Sequence, residues 1–428
     1  MQRQTEKMGR LAGIRRKALS SSDSEEFAGM GGPRWPSRRL QSRYRQRKFH
    51  KAFERRAWNV VEKPLLGDEG KLKVLSGFYT ASPFPLKPGE KMLLYGLIVD
   101  TMHSSRMRED LSRYKAVAAR IHRELAPEGR TNWFGLGEPG AITHYLNNLA
   151  VDSRLTTRIM QNALGWLSST IPMMSTFSRI KALSAMAALD IRVDAESEAG
   201  RVSNRLALAL YEDLKPARLD FSGSGLLLRA LECLTIVAPP LARSLWARDD
   251  IRELLFRPAS AGAHLLRLYQ LARYADVCLP EDVMQTVQFV VHERRARPIS
   301  PNDFETDIQE SLTQLGFKPE SAVLIEGFET DLLICHRKLP VVVECAGDRF
   351  HFIDGDPTLG FQGNDRLRNE LLCKAGYRVL HIPSSSLRNY PGGRLSQEAR
   401  IERALERLVR TPAPAAHILG VASLSGFK

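Results

Sequence analysis

The sequence predicts a mainly α-helical body of helical-repeat, α-solenoid-like character, followed by a small α/β domain at the C-terminus. Three observations carry that expectation. Apolar residues recur at steps of three and four from Pro88 to His292, the period changes to two after Gly316, and the charge gathers at the front. The chain has 428 residues, with 62 Lys and Arg against 48 Asp and Glu, a net charge of +14. Residues 1–60 hold 16 of those cations and 5 of the acids, so they carry +11 and the rest is nearly balanced. A hydrophobic share of 43% suffices for buried cores and excludes wholesale disorder.

Residues 1–60 are read as a basic N-terminal arm. Its second half interleaves Trp35, Tyr44, Phe49 and Phe53 with Arg34, Arg38, Arg39, Arg43, Arg45, Arg47 and Lys48. Guanidinium forks pair with phosphates and aromatic rings stack on unpaired bases, so this composition suits an arm that contacts RNA. A solvated basic tail is the plainer alternative. Residues 1–30, rich in Arg and Ser, also fit an organellar transit peptide, against which the acidic Asp23, Glu25 and Glu26 weigh.

Residues 88–293 are the expected helical domain. Met107, Leu111, Tyr114, Val117, Ile121 and Leu125 form one apolar stripe, and Arg106, Arg108, Arg113, Lys115, Arg120 and Arg123 lie on its polar side. Further helices are expected near 141–150, 155–168, 175–190, 202–214, 225–236, 241–256, 262–275 and 282–293, divided by breaks such as Pro216, Gly223 and Pro258. Loosely matching segments place Leu189, Leu234 and Tyr274 at equivalent positions, 45 and then 40 residues apart. Such intervals suit helix-turn-helix units that bury their apolar faces only by stacking into a solenoid, whose concave surface single-stranded RNA can follow. An ordinary all-helical domain is the alternative. The longest apolar stretch, residues 226–241, is broken by Arg229, Glu232 and Pro239, so no membrane insertion is expected. Five scattered cysteines without a CxxC pair read as reduced thiols, and no paired Cys/His spacing suggests zinc.

The C-terminal domain is placed at 300–410, with 411–428 as a tail. Ser300 is the expected N-cap and Pro301 the first residue of a helix bearing Phe304, Ile308, Leu312 and Leu315, which Gly316 ends. Residues 321–327, 330–337 and 339–347 then read as consecutive strands. A helix from Asn364 to Lys374, a stop at Gly376, a strand over 377–383 and an amphipathic helix capped by Ser396 complete the order.

These residues, about 304–385, resemble the RAP domain of organellar RNA-binding proteins from apicomplexans, algae and plants, related to the animal FAST-kinase-like family. The shared elements are the helix ending in Leu315-Gly316, then Thr330-Asp331-Leu332, and Glu344 at a strand end followed by Gly347 and His351-Phe352. Gly360, an Arg-rich helix, Gly376-Tyr377 and Ile382-Pro383 complete them. Two departures stand out: Ala346 replaces the usual acid two residues after the strand glutamate, and one extra residue lies between Gly347 and His351. The resemblance implies a restriction-endonuclease-like fold, helical repeats upstream and RNA as partner.

In that fold an Asp and a Glu on adjacent strands bind Mg²⁺ and a Lys two residues past the Glu helps to activate water. Asp331 and Glu344 are suitably ordered, with His351 as a candidate base, but the Lys position is Ala346. No cofactor is therefore expected, Mg²⁺ entering only under a nuclease alternative. The RNA-binding candidates are Arg349, His351, Arg366, Arg368 and Lys374, with Arg38, Arg39, Arg43, Arg45 and Arg47 of the arm; Phe350, Phe352 and Phe361 are candidates for stacking. The functional expectation is a non-catalytic RNA-binding protein of an organelle, mitochondrial or else plastid, holding organellar transcripts or rRNA in or on a ribosome beside ribosomal proteins. An RNA endonuclease and a helical protein scaffold are the alternatives.

Overall fold

The computed structural model describes residues 38–63, 66–104, 111–125, 139–152, 154–194, 196–214, 224–256, 262–295, 301–388 and 393–421. The described residues fall into two units that divide between Phe53 and Glu54. The basic run folds as one helix, α1 (Arg38–Glu62). The body opens ahead of Pro88, with α2 (Asp68–Thr80), and continues through α3 (Pro88–Ser104), α4 (Ser112–Leu125), α5 (Pro139–Val151) and α6 (Thr157–Thr170). Then come α7 (Thr176–Ala188), α8 (Glu198–Asp213), α9 (Ser224–Val237), α10 (Pro239–Trp246), α11 (Asp249–Leu255), α12 (Gly262–Tyr274) and α13 (Glu281–Arg295). Met107 of the expected stripe, and Arg106 and Arg108 of its polar side, lie outside the described residues.

Local chemistry sets these boundaries. Hydroxyls at Thr156, Ser175 and Ser197 accept the backbone N–H three residues on and so cap α6, α7 and α8. Pro239 and Pro240 fill the first turn of α10, where a missing N–H costs nothing, and they end α9 at Val237. Two helices are buried almost all round: Met92–Val99 of α3 and Ile180–Ala187 of α7. They belong to a row in which α3 packs on α5, α5 on α7, α7 on α9 and α9 on α12, while α2, α4, α8 and α13 flank it.

The C-terminal domain starts with α14 (Asp303–Gln314). Ser300 lies outside the described residues, and the N-cap is Asn302, in a capping box with Glu305. Asn302 Oδ1 accepts from Glu305 N at 3.0 Å and Glu305 Oε2 accepts from Asn302 N at 3.2 Å, a reciprocal pair that satisfies two backbone donors at the start of the helix. Strands β1 (Glu320–Ile325), β2 (Phe328–His336) and β3 (Leu339–Ala346) form an antiparallel meander. After α15 (Asp348–His351) and α16 (Gly363–Lys374), β4 (Arg378–Pro383) returns parallel to β3. Helices α17 (Ser384–Arg388) and α18 (Gly393–Arg410) follow, so Ser396 lies inside a helix that begins three residues before it. The expected tail contributes a fifth strand, β5 (Ala416–Ile418), parallel to β4, and the sheet order is β1-β2-β3-β4-β5.

Alternation along the strands sorts the two faces. Leu332, Ile334, Val341, Val343, Leu380 and Ile382 pack under α14 and α18, against Ile308, Leu312, Ile401 and Leu405. The intervening residues, including Asp331, Glu344 and His381, therefore belong to the face that α16 covers. Helix α16 lies between the sheet and the helical body, where it touches α7, α9 and α12. Its first residue is glycine for a steric reason: a Cβ on Gly363 would stand 2.2 Å from the Ala187 carbonyl oxygen and 2.5 Å from Ile236 Cγ2. The oxygen belongs to backbone and has no rotamer to move. Gly363→Ala is therefore expected to cost about 1–3 kcal/mol in urea unfolding, and an unchanged midpoint would show that the seam is softer than described.

Candidate functional site

Seven polar side chains meet where α16 crosses the sheet: Asp331, Glu344, His351, Asp365, Arg368, Asn369 and His381. Helical spacing explains the α16 contribution, since positions 365, 368 and 369 stand on one face. The strand registry explains the rest, because Glu344 is the β-partner of His381.

The charges are paired within the cluster. Glu344, 3% exposed, accepts from Arg368 Nη2 at 2.6 Å, and the same nitrogen reaches the Glu329 carbonyl at 2.5 Å. Burial pushes the Glu344 carboxyl up to about 7, against the downward pull of the Arg368 charge. Asp331 Oδ2 accepts the Cys345 N–H at 2.7 Å; burial raises this carboxyl too, and that N–H with Arg368 and His351 opposes the rise. His351 Nδ1 lies 2.8 Å from Asp365 Oδ1. Burial works to lower the imidazole, yet the Asp365 hydrogen bond and charge, with Glu344 beyond, leave it above its ordinary value.

Deeper in, His381 Nε2 meets Asn369 Oδ1 at 2.9 Å, so Nε2 carries the proton. Burial first, and then the His351 and Arg368 charges, hold this ring well below its ordinary value, neutral against Phe361 at a centroid distance of 4.5 Å. Three buried polar atoms of the cluster, Arg368 Nε, Asn369 Nδ2 and His381 Nδ1, take no partner within the chain.

This donor set does not fit a two-acid Mg²⁺ site. Glu344 is held by a guanidinium and Asp331 by a backbone amide. Ala346, at the position of the activating lysine, is buried with Phe352, Phe361 and Ile418. Among the described residues no group of three or more His, Cys, Asp or Glu is placed to hold a metal ion.

The other candidates are scattered. Arg366 is turned away from the sheet into the body: its Nε reaches Asp190 at 2.8 Å, Nη1 reaches Glu370 at 2.5 Å and Nη2 the Ile236 carbonyl at 3.3 Å. It is 3% exposed and unavailable to a phosphate. Lys374 also faces the body, at 3.3 Å from the Tyr274 carbonyl and from Asp276. Phe352 and Phe361 are core residues, whereas Phe350 is 68% exposed and is the one of the three open to a base. Arg45 is exposed, and the side chains of Arg38, Arg39, Arg43, Arg47 and Arg349 lie outside the described residues. Sequence reasoning missed Asp365, Asn369 and His381. The signal for the first two was their i, i+4 spacing around Arg368; His381 had no such signal, because only the β3–β4 register brings it in.

No protein-family model matches this chain, and no curated protein matches it. No helix among the described residues is long and apolar enough to cross a membrane.

Proposed function

We propose that this is a non-catalytic RNA-binding protein of an organelle, mitochondrial by preference, that holds or stabilises an RNA, with rRNA in or on the organellar ribosome as its expected target. The observation that supports it most is the basic helix α1, whose 25 residues carry nine Lys and Arg against two Glu. At 1.5 Å per residue such a helix is about 37 Å long, a cationic rod of a length that spans many phosphates. Arg45, Arg55 and Arg56 on it are exposed. The row of stacked alternate helices supports a solenoid-like body, and the order of elements from α14 to β4 supports a RAP-type domain. The organellar and ribosomal setting rests on that resemblance and on the arm.

A phosphate-contacting arm makes affinity fall linearly with the logarithm of salt concentration. Changing Arg45, Arg55 and Arg56 together to Ala is expected to flatten that slope by about 2–3 charges, read from fluorescence anisotropy of a labelled RNA. An unchanged slope would remove the arm from the interface. Phe350→Ala is expected to leave the unfolding midpoint in place and to weaken single-stranded RNA by about 1–3 kcal/mol; equal affinity would exclude stacking there. Incubation of the wild type with Mg²⁺ and RNA is expected to yield no cleavage that Asp331→Ala removes.

A further inference from the structure

The seam between the helical body and the C-terminal domain contains a cleft of about 620 Å³. That lies inside the roughly 300–1,000 Å³ typical of pockets that take small ligands. Its apolar lining includes Leu155, Leu189 and Ala119, and its cations are Arg123 at the end of α4 and Arg154 just ahead of α6. Arg123 is exposed, while Arg154 is oriented by Asp152 at 2.9 Å.

Two features show that this is a built surface. The Asp354 carboxylate crosses the seam and accepts the Thr157 N–H at 2.7 Å, so an oxyanion already sits at the start of α6 inside the cleft. Asp354 adopts φ 53° to do so, a left-handed conformation that Asp tolerates better than most residues. Gln362 also lines the cleft, and its backbone N–H donates to the His351 carbonyl at 2.9 Å, which ties the cleft to the loop of the buried polar cluster.

We propose that this cleft takes one nucleotide unit of single-stranded RNA, with its base on the apolar floor and its phosphate against Arg123 and Arg154. The inference rests on the RNA-binding reading and names where the body, as distinct from the arm, meets the ligand. A duplex does not fit a concave site of this volume, whereas an unstacked nucleotide supplies the flat apolar face and the anion that the lining matches.

The test uses the full chain and an octanucleotide containing 4-thiouridine. Arg123→Glu and Ala119→Phe, the first reversing a charge and the second filling the floor, are each expected to weaken the octamer at least tenfold. Photocrosslinks are expected on peptides containing Leu155 or Leu189. Wild-type affinity in both variants, with crosslinks confined to residues 38–62, overturns the inference and leaves the RNA-binding reading standing. Absence of RNA binding by the wild type overturns both. Adenosine monophosphate serves as the free-nucleotide arm: binding that Arg123→Glu abolishes, without binding of the octamer, assigns the cleft to a free nucleotide and overturns the RNA source.

Discussion

Arg366→Ala is expected to lower the unfolding free energy by about 3–5 kcal/mol, because it leaves two carboxylates facing each other across a buried seam. Asp190 and Glu370 both bind this guanidinium, whose side chain is 4% exposed. Arg192 stands 3.5 Å from Asp190 and 3.8 Å from Glu370 and offers partial relief from a more exposed position. Arg366→Lys keeps the charge but loses the fork that joins two acids and the Ile236 carbonyl, so an intermediate loss is expected. Urea unfolding measures both variants. A loss below about 1 kcal/mol for Arg366→Ala would mean that the seam is not held by this residue. Any RNA-binding defect in that variant belongs to the fold.

Glu344→Gln is expected to flatten the pH dependence of stability between about pH 4.5 and 7. Burial raises the folded carboxyl from 4.5 to about 7, so the native state holds this proton more tightly than the unfolded chain does. Its contribution to stability is complete below the unfolded value and is lost as the pH climbs through 7. The sum is on the order of 3 kcal/mol across that window. Asp331 and His351, both raised, act in the same direction. Denaturant unfolding at stepped pH values measures the effect. A wild type whose stability rises with pH across this window, or a Gln variant with an undiminished slope, contradicts the dominance of burial over the Arg368 charge at Glu344.

The division into a helical body and a C-terminal α/β domain was legible because each rests on local periodicity. Gly316, Gly327 and Gly376 were readable as stops, and each adopts positive φ. The tail strand was hidden, since three residues that pair only through β4 carry no pattern of their own. The site was legible in part. Arg366 and Arg368 looked like one cationic patch in the sequence, yet at about 100° per residue they stand roughly 200° apart, so one meets the body and the other the sheet. Which side faced solvent depended on α16 being covered on both faces, a fact of tertiary packing. Glu344 and Asp331 were correctly placed on adjacent strands, but their partners, Arg368 and the Cys345 amide, required the three-dimensional register.

Crosslinking the tagged chain in cells, followed by sequencing of the attached RNA, asks whether this protein binds RNA and names the target in one step. Reads are expected to concentrate in organellar RNA, foremost rRNA, and to fall when Arg45, Arg55 and Arg56 are replaced together. Recovery of no RNA above an untagged control, together with a native complex that survives ribonuclease intact, would contradict it and identify a protein scaffold.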